Sequence, residues 1–425
     1  MPHSSDPTHD QSFETGRIFL YFGLLALLVD LGTPSGSLID IPTSYLLKNQ
    51  LHASATQVSA FRFVAGIPMY FAVFFGMVRD RWSPLGLRDR GFFIVCPLLT
   101  AGAMLWMGIT PLSYLSLFVG MFVATVSYKF VMAAQEGLTS MVGQEKFMSG
   151  RLSALWNVLG GLQATAAAFS SGYVTEHLSR SQTFVLIAIL ALAIVPFTVW
   201  KPSAVFGKSY RKPRAENSLG EDIKRLITHR PIYPVIVIFF LWEFMPGTGT
   251  PLQYYLSNQL HASDAVYSYF NGIYLASYVP ASILYGILCK RASLSKLLWW
   301  AAIIAVPQII PLYFMHSTGQ ALVLAVPMGL LGGIATSAYF DLAIRSCPSG
   351  LQGSLMMLLI GLATLADRSG DLLGSKIYAG DPKSGFLSCV IATTIVYALI
   401  LPVVALVPRR LIATADGERN TEIQP

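Results

Sequence analysis

Asp367, Arg368 and Asp371 stand together in a stretch that is otherwise apolar. The two aspartates are four residues apart and share a helix face, while Arg368 points about 100° away. Two carboxylates on one face repel, and the repulsion favours proton uptake by one of them. Proton coupling or binding of a cationic substrate group is the chemistry this offers; a structural ion pair with Lys129 or Arg368 is the competing use. Glu243 stands half-way through another apolar stretch. The run that follows it, Pro246-Gly247-Thr248-Gly249-Thr250-Pro251, cannot sustain a regular helix, because its prolines lack donors and its glycines loosen the backbone. Asp30 precedes a comparable run, Gly32-Thr33-Pro34-Ser35-Gly36. A broken helix beside an acid is a sequence pointer to a solute site at mid-membrane. Lys129, in a further apolar stretch, either neutralises one of these acids or receives an anionic group. An ionisable side chain at that depth costs ~2.5 to 3.5 kcal/mol, so each calls for a cavity or a partner.

The elements that must position these groups are membrane spans. Residues AVILMFWYC make up 54% of the 425-residue chain and charged residues only 12%, with a mean hydropathy of +0.56. A soluble domain carries about a quarter charged residues. Twelve stretches are apolar over the ~20 residues a helix needs to cross the bilayer, at 18 to 47, 55 to 78, 91 to 109, 112 to 140, 151 to 172, 183 to 200, 232 to 256, 264 to 288, 294 to 315, 320 to 345, 352 to 376 and 385 to 407. The expected organisation is an N-tail at 1–17, a six-helix bundle at 18–200, a polar linker at 201–231, a second six-helix bundle at 232–408 and a C-tail at 409–425. The linker is rich in Lys and Arg, and so are the loops on its side, which by the positive-inside rule places them and both termini in the cytoplasm. The net charge of +7 thus reads as membrane topology and not as nucleic-acid binding. No cleaved signal peptide is visible, so the first span serves as the insertion signal. Cys96, Cys289, Cys347 and Cys389 are scattered singly and read as small core residues.

Asn49-Gln50-Leu51-His52-Ala53-Ser54 returns letter for letter as Asn258-Gln259-Leu260-His261-Ala262-Ser263, each copy between two apolar stretches. The repeat extends to Pro42 with Pro251 and, after a one-residue slip, to Gly76 with Gly286 and Arg81 with Arg291. It points to two related halves. His52 and His261 read as turn residues or as pH sensors. Within the spans, ionisable residues fall in the first (Asp30, Asp40), second (Arg62), fourth (Lys129, Glu136), seventh (Glu243), tenth (Asp341) and eleventh (Asp367, Arg368, Asp371), and none in the third, sixth or twelfth. Asp341 and Arg345, four apart, read as a structural or gating ion pair at the cytoplasmic end. Tyr128, Trp156, Trp242, Phe244, Tyr254, Tyr274 and Tyr278 are either cavity walls or interface aromatics.

The loop after the second span carries Gly76, three residues, then Asp80-Arg81, followed by Arg88-Asp89-Arg90. This resembles the loop signature of the major facilitator superfamily. In it the glycine permits close helix approach, and the acid can hold a helix N-terminus or an arginine in one conformation and release it in the other. Gly76, Asp80, Arg81 and Arg88 are therefore candidate gating residues. The second half has Gly286 with Lys290-Arg291 and no aspartate. Gly66-Ile67-Pro68, Trp82 to Arg90 and Tyr339-Phe340-Asp341 to Gly353 resemble the folate and biopterin transporter branch and its light-harvesting assembly and muropeptide permease relatives. Where that branch shows Gly-Tyr-Arg-Arg, this chain has Gly86-Leu87-Arg88-Asp89. The resemblance implies an all-α membrane fold of twelve helices in two pseudo-symmetric six-helix bundles. In that fold the first, fourth, seventh and tenth spans line a cavity, and the third, sixth, ninth and twelfth face lipid.

No phosphate-cradling loop, nucleophile elbow or His-Glu-x-x-His site is present, so the chain is expected to be neither an enzyme nor a holder of cofactor or metal. The expected function is secondary active transport of a small polar organic solute by alternating access, with proton symport. The expected setting is a monomer in lipid, in a bacterial inner membrane. Asp30, Lys129, Glu243, Asp367, Arg368 and Asp371 are the candidate solute and ion site. The alternative is a non-transporting assembly factor that handles tetrapyrrole pigment or pigment-binding subunits.

Overall fold

The computed structural model describes residues 7–34, 38–39, 42–43, 46–53, 61, 64–207, 210, 218–380 and 384–418. Ser35, Gly36, Asp40, Ser54 and Arg62, named above, lie outside the described residues. Among those described, the regular elements are helices. In the first half α1 is Pro7–Leu31, α2 Ile67–Tyr70, α3 Ala72–Arg81, α4 Asp89–Ile109, α5 Tyr114–Glu145, α6 Ser149–His177 and α7 Arg180–Leu192. The linker holds α8, Leu219–Thr228. In the second half α9 is Ile232–Glu243, α10 Thr250–Asn258, α11 Asp264–Leu288, α12 Leu294–Ala305, α13 Thr318–Ser346, α14 Gln352–Gly380, α15 Gly385–Ala398 and α16 Ile400–Ala405, and α17, Arg409–Ile412, lies in the tail.

A described helix overlaps each of the twelve expected stretches. Among the described residues six segments are by themselves long and apolar enough to cross a bilayer: 89–109, 114–145, 180–198, 294–314, 318–346 and 385–405. The others are interrupted or carry polar residues, as the broken run between α9 and α10 required. Helix starts are fixed locally. Ser113, Ser179 and Ser218 each accept from the amide three residues on, and Ser116, Gln182 and Glu221 return the bond.

The repeated hexapeptide is a helix stop. His52 and His261 both have φ of 50°. Ala53 donates to Leu47 O at 2.9 Å and Ala262 to Leu256 O at 2.9 Å, closing the same left-handed turn at the helix end in each copy. Both histidines are therefore the turn residues.

Each half has its own apolar cores. One joins Tyr21, Phe92, Phe93 and Val131 of α1, α4 and α5; another joins Ile238, Leu298, Leu342 and Leu355 of α9, α12, α13 and α14. Apolar contact also crosses the interface: Ala72 and Phe75 of α3 and Ala133 of α5 meet Met357 of α14, and Ala154 of α6 joins the second half's core, with Met77 of α3 packed against it. The halves touch through α6 on α11 and α13, and through α3 and α5 on α14. On α4, beyond its charged start at Asp89-Arg90, Leu98, Leu99 and Leu105 are exposed, as are Ile391 and Ile395 on the charge-free α15, so both helices present apolar side chains outward. The interface thus sets small residues, Ala72, Ala133 and Ala154, beside larger apolar ones, Phe75, Met77 and Met357.

Candidate functional site

At the linker end the interface is closed by named bonds. Asp80, at the last turn of α3, accepts from the Gly353 amide at 3.2 Å, the Ser354 amide at 2.6 Å and the Ser354 hydroxyl at 2.7 Å. It therefore occupies the N-terminus of α14, where the helix dipole favours an anion. Arg79 ties this acid to α4, donating to Asp80 at 2.7 Å and to Asp89 at 2.5 Å. Gly76 is required by contact: a Cβ there would lie 2.3 Å from the Gly353 carbonyl oxygen. Gly137 makes room for Arg79, since a Cβ would meet its guanidinium at 2.4 Å.

Arg81 and Arg88 are turned elsewhere. Arg81 reaches Asp222 of α8 at 3.4 Å, and the Arg88 guanidinium lies 5.2 Å from the ring centre of Tyr210. The signature thus places Gly76 and Asp80 on the other half and Arg81 and Arg88 on the linker.

The second half contributes Asp341 and Arg345. Arg345 donates to Asp341 at 2.8 Å and to Ser149 of α6 at 3.1 Å, while Tyr285 donates to Asp341 at 2.9 Å. Gln144 caps the end of α13 from across the interface, donating to Ile344 O at 2.9 Å and Cys347 O at 2.7 Å. Ser153 donates to Ser337 O at 2.6 Å.

Deeper in, the charged groups form two sets. In the first half, Asp30 ends α1. Tyr128 donates to Val29 O at 2.7 Å, and Gly32 leaves space for its hydroxyl. Asp30 and Glu136 are close enough to interact electrostatically. Lys129 is 4% exposed, and its ammonium meets the Met132 sulfur at 3.4 Å. It has no carboxylate partner among the described residues. One turn on, Ala133 packs with Ala72, Phe75 and Met357, so Lys129 shares the α5 face that meets the other half.

In the second half Asp367 and Asp371 line one cavity of about 180 Å³ with Thr248, Tyr267, Asn271 and Tyr274. Asp371 accepts from the Thr250 amide at 2.6 Å and hydroxyl at 2.8 Å, so it caps α10, the far piece of the broken seventh span. Asp367 is near enough to Glu243 for their charges to interact. Arg368 is 67% exposed and 3.8 Å from Asp367, outside the cavity lining. Of the proposed wall aromatics, Tyr274 lines the cavity and bonds Tyr278 at 2.9 Å. The Trp156 and Phe340 rings meet across the interface with centroids 4.3 Å apart, tilted by 34°.

Sequence reasoning did not select Arg79, Asp89, Gln144 or Glu136. Arg79 and Asp89 sit inside the signature, and the burial of that loop was the missing signal. Glu136 was visible as a charge in a span. Gln144 carries no formal charge to mark it.

The groups shared by the two halves can therefore bind charge in the middle and close one end, which is the equipment of a carrier. The sequence matches the family model "Major Facilitator Superfamily" over residues 20–367. It is 23% identical over 401 residues to a folate-biopterin transporter of Synechocystis sp., covering 87% of this chain and 78% of that protein. It is 20% identical over 360 residues to a candidate folate transporter of Plasmodium berghei, covering 81% and 78%. The fold is similar to the human organic anion transporter MFSD10 (TETRAN), with TM-score 0.66, 13% identity and coverage of 91% and 99%. It is also similar to a bacterial homologue of the iron transporter ferroportin in its outward-facing state, with TM-score 0.67, 15% identity and coverage of 92% and 98%. The chain is a membrane transporter, not an enzyme, and belongs to the Major Facilitator Superfamily.

Proposed function

We propose that the chain moves a small polar organic anion of the pterin or folate kind by alternating access, in symport with protons. It would act as a monomer in a bacterial inner membrane with its linker end in the cytoplasm. The observation that carries this reading is Lys129, a buried ammonium at the interface between halves without a carboxylate partner among the described residues. A cation held there is tolerated when an anionic ligand supplies the missing charge. Asp367, in the cavity beside Glu243, is the proposed proton carrier, with Asp30 and Glu136 as acids of the other half. The names of the two sequence relatives support the substrate class.

The test is uptake of labelled biopterin and folate into proteoliposomes under an imposed pH gradient, acid outside. Uptake should rise with the gradient, Lys129→Gln should remove it, and Asp367→Asn should remove its response to the gradient while expression stays intact. Full gradient-driven uptake in Asp367→Asn would take that residue out of the coupling role.

The assembly-factor reading keeps one supporting observation. An apolar hollow of about 780 Å³ opens beside α12 and α13, lined by Pro307, Ile310, Pro311, Phe314, Val323 and Leu324. It would suit a pigment or a lipid chain. Thermal stabilisation by tetrapyrroles alone, indifferent to pH, would favour it over transport.

A further inference from the structure

Asp80 closes the first half against the first turn of α14, but the related loop of the second half, Gly286 followed by Lys290-Arg291, offers no acid. The first turn of α6 nevertheless receives one. Asp416, from the C-terminal tail, accepts from the Gly150 amide at 3.0 Å and from Arg151 Nε at 2.5 Å, with its side chain fully buried. The positions correspond, since Gly150 is the second residue of α6 as Gly353 is the second of α14.

The tail itself is held by the other half. Its helix α17 packs on α12 and α13. Thr414 O accepts from Leu294 at 3.3 Å and from Arg345 at 2.9 Å, and the Asp416 amide donates to Cys289 O at 2.8 Å. The carboxylate is thus carried by the second half and its donors by the first.

We propose that Asp416 is a gating residue that replaces the acid missing from the second-half loop. It clamps the halves together at the linker end in this state and lets go when that end opens. The partial positive charge of the α6 N-terminus and the full charge of Arg151 both draw the carboxylate in. Two acid-to-helix contacts, one from each half, then hold the gate, one supplied by a loop and the other by the tail. The inference rests on the alternating-access reading, but its test requires no solute.

All four native cysteines are buried, and each reports on a different place. The Cys347 carbonyl accepts from Gln144 across the gate, Cys289 lies under the tail, and Cys96 and Cys389 belong to the cores of separate halves. Alkylation of the purified full chain is followed site by site by mass spectrometry. In Asp416→Ala, Cys347 is expected to react roughly tenfold faster, as the loss of a charge-assisted contact allows, with Cys96 and Cys389 unchanged. Arg151→Ala, which removes the partner from the other half, should act in the same direction. Acceleration of Cys289 alone would make the tail a mere cover, acceleration at all four sites would make Asp416 a general fold residue, and an unchanged Cys347 would leave the gate independent of it. Each of these three results overturns the proposal. A failure of biopterin or folate uptake would bear only on the cargo.

Discussion

Asp371 accepts two bonds from Thr250, at 2.6 Å from its amide and 2.8 Å from its hydroxyl, whereas Asp367, one turn away on the same face, has Arg368 at 3.8 Å as its ion-pair partner among the described residues. Equal in sequence, the two aspartates differ in use. Asp371→Ala should cost ~1 to 2 kcal/mol of stability by uncapping α10. Asp367→Ala should cost far less stability and abolish gradient-driven uptake. Thermal unfolding in detergent, paired with proteoliposome uptake of the same two variants, checks the order; a reversed order would exchange their roles.

Lys129 is expected to trade stability for function. With its ammonium against a thioether, Lys129→Met should raise stability by on the order of 1 to 3 kcal/mol, and the melting temperature with it, because a buried charge with no carboxylate partner among the described residues is removed. The same variant should lose stabilisation by biopterin or folate. A Lys129→Met protein that melts lower than the native chain would mean that the ammonium is satisfied in the native fold.

The two repeat-related glycines should respond unequally. At Gly76 a Cβ would lie 2.3 Å from a backbone oxygen of the facing helix, which cannot swing away. At Gly286 it would lie 3.1 Å from the Ala154 Cβ, a contact that a few tenths of an ångström relieves. Gly76→Ala should therefore hold the linker end open, with faster alkylation of Cys347 and uptake reduced about tenfold or more, and Gly286→Ala should stay within about twofold. Equal effects would show that the gate closes symmetrically.

How much of this was legible in the sequence depended on range. The hexapeptide and the Gly76 to Asp80 spacing could be read because a helix stop and a loop signature are local, and the structure repeats the His52 turn at His261. The charged spans could be read because a charge in an apolar stretch is conspicuous. What could not be read was direction. One step along a helix turns a side chain by about 100°, so Arg79 enters the interface while Arg81 leaves it for the linker. Nor could a contact such as Asp416 with Gly150 be seen, because residues so far apart share no pattern. The Asp371 cap was hidden for the same reason, as Thr250 sits in a different span.

That difference between neighbouring arginines gives the last prediction. The Arg79 side chain is 5% exposed and its guanidinium bonds both Asp80 and Asp89, while the Arg81 side chain is 32% exposed and meets Asp222 at 3.4 Å. Removing Arg79 would take away the guanidinium that two buried carboxylates share, a loss of ~3 to 5 kcal/mol. Removing Arg81 breaks a partly solvated pair of ~0 to 1 kcal/mol. Arg79→Ala should therefore melt far below Arg81→Ala, and Arg79→Lys should rescue only part of the loss, since one ammonium cannot match the fork that spans both acids. Adding Asp89→Asn to Arg79→Ala should recover stability by neutralising one of the two buried carboxylates that shared the guanidinium. If the double variant melts no higher than Arg79→Ala, the arginine contributes by packing against Gly137 and not by its charge.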